Sequence, residues 1–157
     1  MMRLLYSALL AASMLLVQPL AASAARVVAR VDLSSQTMTV SYRGLVKYRW
    51  KVSTARRGKV TPVGSWKAKW LSRHHRSSRY NNAPMPYSIF FRGGYAIHGT
   101  NYVKSLGRPA SHGCVRLDTA NAAKLYALVK EVGAGNTRIV VMLSNSSWRP
   151  CGAWLPV

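Results

Sequence analysis

The chain has 157 residues, and its 23 Lys and Arg residues against 3 Asp and Glu residues give a formal net charge of +20. This length fits one domain with an apolar core, and the sequence contains no internal repeat, coiled coil or second domain. So large a positive charge predicts an anionic partner. Because the basic residues are scattered rather than gathered on one helix, a cell wall or membrane surface is favoured over nucleic acid.

Residues 1–24 are predicted to be a signal peptide. Arg3 supplies the positive start, residues 4–17 form an apolar run, and small residues at 22–24 form a cleavage site after Ala24 or Ala25. A permanent membrane anchor is the alternative, but a span needs about 20 apolar residues. We therefore expect export to the periplasm or cell wall, no stable membrane anchor after cleavage, and a mature charge of +19, since only Arg3 is lost.

The first half of the predicted domain (25–144) reads mainly as strands. Apolar and polar residues alternate over 25–33, 36–42 and 45–53, which predicts an antiparallel meander. Glycine and proline mark 54–70 as a loop with one strand after it. The polar, basic stretch 71–88 is interpreted as a long exposed loop, and 89–100 as extended structure around a Gly-Gly break.

The second half contains the one predicted helix. Residues 118–133 open with Asp118, a good N-cap, and close with Gly133, a C-cap residue. Ala122, Leu125, Tyr126 and Val129 would form its apolar face. A buried strand over 137–144 follows, and 145–157 is an irregular tail. The predicted fold class is mainly β with one α-helix.

A nucleophilic cysteine is the chemistry best matched by residues 108–118, which read RPASHGCVRLD. A thiolate needs a base or cation beside it, and the oxyanion formed by its attack needs backbone N–H groups. Gly113 leaves space beside Cys114, and the amides of His112, Gly113 and Cys114 are placed to converge on one oxygen. Arg116 adds a fixed positive charge.

Two histidines are candidates for the base. His112 shares a face with Cys114 in an extended chain, and His98 comes from a separate predicted strand that can approach the sulfur from the side. We favour His98 as the base, with His112 shaping the pocket. His74 and His75 are interpreted as exposed loop residues.

The cysteine region admits three other interpretations. A Cys114–Cys151 disulfide is the ordinary expectation for an exported chain with two cysteines, but it would switch the activity off, so a nucleophilic Cys114 must stay reduced at least part of the time. A zinc site of His98, His112 and Cys114 has suitable ligands, but their spacing matches no common zinc pattern. A papain-like order is opposed because both candidate histidines precede the cysteine. We therefore predict no metal and no cofactor.

The segment HGTNYVKSLGRPASHGCVRL (98–117) resembles the active-site signature of the L,D-transpeptidase catalytic domain family (YkuD-like). The similarity extends upstream, over 31–66 and 81–99, and covers about 26–144. It implies a β-sandwich of mixed sheets. Arg116 stands where many members have asparagine and others arginine, and Ala55 replaces a glycine common in the family.

The resemblance implies roles for the matching residues. Cys114 would be the nucleophile and His98 the base, with the Gly99 carbonyl orienting the imidazole. The catalytic segment, which includes Ser111, would supply the oxyanion hole and the pocket wall through His112, Gly113 and Cys114. Arg116 would position substrate. A separate reading of residues 83–87 makes Met85 and Tyr87 candidates for a cover over the cleft, or for plain loop packing.

The reaction implied by the resemblance is a two-step acyl transfer on peptidoglycan stem peptides. Cys114 would release D-Ala from a tetrapeptide, and an amine of a second stem would then take the acyl group. Water as acceptor would make the protein a carboxypeptidase, and a protein amine would anchor that protein to the wall. A basic wall-binding protein without activity is the alternative from another class. A nucleic-acid-binding protein is disfavoured.

Overall fold

A computed structural model describes residues 25–144, so the predicted signal peptide, the tail and Cys151 lie outside the described residues. The elements in chain order are β1 (Val27–Asp32), β2 (Thr37–Tyr42), β3 (Leu45–Lys51), β4 (Gly64–Lys67), β5 (Trp70–Arg76), β6 (Pro84–Arg92), β7 (Tyr95–Thr100), β8 (Val115–Asp118), α1 (Thr119–Val132) and β9 (Thr137–Met142).

The first sheet has five strands in the order β3-β2-β1-β9-β4. The predicted meander of the first three strands is confirmed, because β1–β2 and β2–β3 pair antiparallel. The predicted strand 137–144 is confirmed as β9, which inserts parallel to β1 and places Val27 opposite Thr137. β4 lies inside the segment interpreted mainly as loop and closes the other edge.

The second sheet has the order β5-β6-β7-β8, with two antiparallel pairs and a parallel β7–β8 pair. The prediction of a long exposed loop over 71–88 is wrong. Residues 70–76 form β5 and residues 84–92 form β6, and only 77–83 connect them. β5 is an edge strand with mostly exposed side chains, so its composition resembles that of a loop.

One apolar core lies among the two sheets and α1. The sheets contribute alternate side chains of their strands, and the helix contributes Ala122, Leu125, Leu128 and Val129. The predicted fold class, mainly β with two mixed sheets and one helix, is confirmed. Between residues 25 and 144, no helix is both long and apolar enough to cross a membrane.

Both ends of α1 match the sequence prediction. The Asp118 carboxylate accepts hydrogen bonds from the N–H groups of Ala120 and Asn121. Gly133, at a φ of 89°, donates its N–H to the Val129 carbonyl. Tyr126 is half-buried and packs against the core, with its ring centroid 5.8 Å from that of Tyr87 on the neighbouring sheet.

A backbone irregularity in β6 changes which side chains share a face. Tyr87 adopts a φ of 55°, a left-handed conformation that is uncommon away from glycine. Before it, Met85 packs with Phe90 and Ala96, whereas after it Ile89 and Phe91 enter the main core. A regular strand would put Met85 on the same face as Ile89. The irregularity instead delivers Met85 to the face that carries Cys114.

Candidate active site

Cys114 lies just before β8, half-buried in a small apolar cluster with Met85, Phe90 and Ala96. Its Sγ is 3.8 Å from the Gly94 carbonyl oxygen. Burial raises the pKa of the thiol, while the Ala96 N–H and the Arg116 charge act in the opposite direction. The net effect favours the neutral thiol at rest.

His98 belongs to β7 and is 6% exposed. Its Nδ1 lies 2.7 Å from the Gly99 carbonyl oxygen. Because a carbonyl only accepts hydrogen bonds, Nδ1 carries the proton and Nε2 keeps its lone pair. Burial lowers the pKa of His98 to about 4, helped by the nearby Arg116 and His75 and opposed by the Gly99 bond. The imidazole is therefore a neutral acceptor at physiological pH.

Strand register places His98 beside the cysteine. β7 and β8 are parallel, with His98 opposite Arg116. Continuing this register back by two residues puts Ala96 level with Cys114, which agrees with the effect of the Ala96 N–H on the thiol. His98 is thus displaced from Cys114 by two residues along the strand, about 7 Å. Both side chains and Arg116 occupy one face of the second sheet.

Hydroxyl groups hold the segment 111–114 in shape. Ser111 Oγ accepts a hydrogen bond from the Gly113 N–H at 3.0 Å and donates to the Cys114 carbonyl at 2.7 Å. Thr61 Oγ1 donates to the Gly113 carbonyl at 2.8 Å. The Gly113 N–H, one of the three amides predicted to form the oxyanion hole, is thus bound to Ser111 in this structure.

The segment 52–61 is hydrogen-bonded to residues 111–114, which we call the cysteine loop. Ser53 and Arg116 exchange backbone hydrogen bonds of 3.0 and 2.9 Å, and the Ser111 N–H donates to the Thr54 carbonyl at 2.8 Å. The buried Gln36 side chain fixes Thr54 in turn, since it accepts from the Thr54 N–H and donates to its hydroxyl. The sequence does not indicate these supporting residues, because their role depends on which distant segments the fold brings together.

His112 lies beside a residue from a distant turn. Its half-buried ring stacks on that of Tyr80, with the centroids 4.6 Å apart. Burial lowers the pKa of His112, and the charges of Arg56, Arg116 and Lys59 lower it further. The β5–β6 connection therefore reaches the cysteine loop, which the sequence did not indicate.

The interpretation of His75 as an exposed loop residue is wrong. It lies in β5 and is half-buried, with its ring centroid 4.9 Å from that of Phe90. Phe90 belongs to the Cys114 cluster, so His75 borders the site, whereas His74 is exposed. The sequence signal for this strand is the run Trp70–Arg76, but its charged side chains make it resemble a loop.

The two predicted cover residues, Met85 and Tyr87, lie in different apolar clusters. Met85 packs in the cluster that contacts Cys114. Tyr87 instead packs against the main core, near Tyr126 of α1, with the Arg73 guanidinium 5.8 Å from its ring centroid.

The Arg116 side chain donates a hydrogen bond from Nη1 to the Ala110 carbonyl oxygen at 3.4 Å. Among the described side chains, no three His, Cys, Asp or Glu residues gather as metal ligands would.

Replacing Ser111 by alanine is expected to lower the free energy of unfolding by about 1–3 kcal/mol. The change removes the partner of the Gly113 N–H and of the Cys114 carbonyl in a largely buried segment. Urea titration would measure the loss. Ser78→Ala, an exposed serine in the β5–β6 connection, is the control, and equal losses in the two variants would contradict the bridging role.

Comparison with known proteins assigns a family to the chain. The family model described as the L,D-transpeptidase catalytic domain, YkuD, matches residues 26–141. A curated protein of Bacillus subtilis (strain 168) carries the name L,D-transpeptidase YkuD. It is 24% identical to this chain over 103 residues, and the match covers 63% of this chain. This chain spans 58% of that protein's length.

Solved structures show the same fold. The L,D-transpeptidase from Stackebrandtia nassauensis has a TM-score of 0.65 and 28% identity, and the match covers 78% of this chain and 58% of the other. The L,D-transpeptidase LdtMt1, solved in complex with imipenem, has a TM-score of 0.67 and 24% identity, covering 74% and 59%. At that identity the second match shows the fold alone.

Proposed function

The chain belongs to the L,D-transpeptidase catalytic domain family, and from that premise we propose that it is an exported L,D-transpeptidase that cross-links peptidoglycan stem peptides through a Cys114 thioester. The observation that carries the proposal is the position of His98, which lies opposite Arg116 and therefore two residues along the strands from Cys114, on the same sheet face. The Gly99 carbonyl holds the proton on Nδ1 and leaves Nε2 as the acceptor.

The first chemical step forms the thioester. The Cys114 Sγ attacks the carbonyl between the third and fourth residues of a stem tetrapeptide while His98 Nε2 takes the thiol proton. The resulting oxyanion is stabilised by backbone N–H groups of residues 112–114. Because the Gly113 N–H is bound to Ser111 in the present conformation, the amides of His112 and Cys114 carry this role unless Ser111 releases it. The tetrahedral intermediate then collapses, and D-Ala leaves with the proton from His98.

The second step transfers the acyl group. An amine of a second stem attacks the thioester, and His98 accepts the amine proton. His98 then passes this proton to the departing Cys114 sulfur, which leaves as the thiol. Arg116 is placed to position a substrate carboxylate, since it lies opposite His98, and Met85 supplies apolar contact beside Sγ. A protein amine in place of the second stem would anchor that protein to the wall.

The resting protonation state predicts how the thiol reacts with iodoacetamide. Because burial raises the pKa of Cys114 and lowers that of His98, we expect a neutral pair and no preformed thiolate–imidazolium ion pair. The alkylation rate should therefore rise about tenfold per pH unit between pH 6 and 8. Mass spectrometry of the modified Cys114 peptide measures it. A rate that is already constant across that range would show an ion pair instead.

The activity itself is tested with purified tetrapeptide muropeptides. The wild-type chain, kept reduced, should yield cross-linked dimer with loss of D-Ala, and Cys114→Ala should yield none. Mass spectrometry identifies the products. Tripeptide without dimer would assign a carboxypeptidase, and no product from the folded, reduced wild type would favour a wall-binding protein without activity. Export is tested separately, by locating the chain in cell fractions with and without residues 1–24.

A further inference from the structure

The connection between β2 and β3 exposes two adjacent aliphatic side chains. Within this β2–β3 tip, defined as residues 42–47, Leu45 is 77% exposed and Val46 is 64% exposed. Arg43 and Gly44 make the turn with φ values of 51° and 84°. Single exposed aliphatic residues are common on protein surfaces, so the surroundings of this pair decide its meaning.

Cations and aromatic rings surround the exposed pair. The Arg43 guanidinium lies 5.2 Å from the Tyr42 ring centroid, and the Lys47 ammonium lies 5.5 and 5.7 Å from those of Tyr42 and Tyr48. Tyr48 in turn stacks on Trp50 at 4.6 Å. Tyrosine, tryptophan and basic residues around an aliphatic tip match the polarity gradient at a bilayer surface.

The surface beyond the tip is also cationic. Arg49 and Lys51 continue along β3 with exposed side chains. The acids of the chain are Asp32, Asp118 and Glu131, so no acidic residue lies in β2, β3 or the tip between them. Each basic residue near an anionic lipid surface strengthens attachment. A soluble polyanion would satisfy these charges but offers nothing to Leu45 and Val46.

The N-terminal end of the described domain lies against the tip. The Arg43 N–H donates to the Arg26 carbonyl at 2.7 Å, and Val27 pairs with Tyr42. The apolar run 4–17 of the sequence precedes Arg26 by nine residues, which span at most about 30 Å. Until the predicted signal peptide is cleaved, a bilayer that holds this run would therefore lie within reach of the tip.

We infer that the β2–β3 tip is a peripheral docking element for a bilayer surface rich in anionic phospholipid. Leu45 and Val46 enter the headgroup region, and Arg43 and Lys47 lie near lipid phosphates. The site on the second sheet is not involved, so this inference stands independently of the proposed function. Docking would retain the domain beside the membrane without a spanning segment.

Vesicle co-sedimentation tests the inference. The chain 25–157 is used, because it keeps the complete core and lacks the apolar run, which would itself enter lipid. We expect binding to phosphatidylglycerol–phosphatidylcholine vesicles, little binding to pure phosphatidylcholine, and weakening in 1 M salt. Leu45→Ser with Val46→Ser should reduce binding about tenfold or more, whereas Val63→Ser with Leu143→Ser, two other exposed aliphatic positions, should not.

The charge contribution is tested by a second matched pair. Arg43→Gln with Lys47→Gln should weaken vesicle binding about 25-fold, since each charge contributes about fivefold. Lys124→Gln with Lys130→Gln removes the same net charge from exposed positions of α1 and should have a much smaller effect. Circular dichroism checks that every variant is folded.

Three outcomes would overturn the inference. Equal vesicle binding by wild type and the Leu45/Val46 variant would mean that the aliphatic pair does not contact lipid. Equal loss in the two charge variants would mean attraction by net charge alone. If soluble polyphosphate displaces wild type and the Leu45/Val46 variant from the vesicles equally well, the surface is a general polyanion site. Muropeptide turnover should be unchanged in all four variants, so a failed docking test leaves the proposed function intact.

Discussion

Replacing His98 by glutamine is expected to slow acylation of Cys114 by the stem tetrapeptide of the proposed reaction about 10²–10⁴-fold. The buried imidazole has its Nδ1 proton fixed by the Gly99 carbonyl, which leaves Nε2 to receive the thiol proton. Glutamine has comparable polarity but no basic nitrogen. Intact-protein mass spectrometry over time would measure the acylation rate.

His74→Gln is the matched control, because His74 is exposed in β5 and undergoes the same chemical change. It should retain the wild-type rate within about threefold. If His98→Gln kept a similar rate, the base would have to be another group, and His112 would be the first candidate. Circular dichroism of the His98 variant separates loss of chemistry from loss of fold.

The pH dependence of the acylation rate provides an independent check on the same residue. A base works only when unprotonated, and burial lowers the pKa of His98 to about 4. The rate should therefore fall as the pH drops through about 4, and the neutral imidazole should persist through the range where an ordinary histidine becomes charged. An inflection near pH 6.5 would instead indicate a solvated histidine.

Replacing Gly113 by alanine is expected to lower the free energy of unfolding by about 2–5 kcal/mol. At a φ of 137°, a Cβ would lie 2.8 Å from the Tyr95 ring and 2.9 Å from the Val60 carbonyl oxygen. The carbonyl is backbone held beside the cysteine loop, so a small side-chain rotation cannot relieve the contact. The strained backbone adds to this overlap.

Gly135→Ala is the control for this variant. A Cβ at Gly135 meets nothing within 4 Å, and its φ lies outside the left-handed range. Urea unfolding should show a large loss for Gly113→Ala and little change for Gly135→Ala. A loss below about 1 kcal/mol at Gly113 would mean that the loop shifts freely, and the cysteine loop would then be less rigid than its hydrogen bonds indicate.

The sequence predicted the elements whose side chains alternate or cap in regular ways. β1 buries every second residue, and α1 begins after Asp118 and ends before Gly133, as expected. β5 and the first part of β6 (84–88) were predicted as loop, whereas 89–92 falls in the predicted extended segment. β5 was missed because an edge strand with exposed arginines and histidines resembles a loop. The left-handed conformation of Tyr87 also breaks the alternation of β6. Met85 therefore faces the Cys114 cluster rather than the main core, where simple alternation would put it with Ile89.

The candidate site was predicted unevenly for a similar reason. Cys114 and His98 stand in short motifs, so their chemistry is visible locally. The supports of the cysteine loop come from positions far away in the chain: Thr61 is 52 residues from Gly113, and Ser53 pairs with Arg116. Such contacts depend on sheet register, which no single segment encodes.

The central place of β9 governs the order in which the domain can assemble. The strand lies between β1 and β4 but is the last of the strands in residues 25–144 to be synthesised. Until residue 142 has emerged, β1 keeps an open edge and β4 lacks its partner strand, so the first sheet cannot close. The domain is therefore expected to remain unfolded throughout its synthesis. Under the export proposed above, this delay would leave the polypeptide unfolded for passage through a narrow channel.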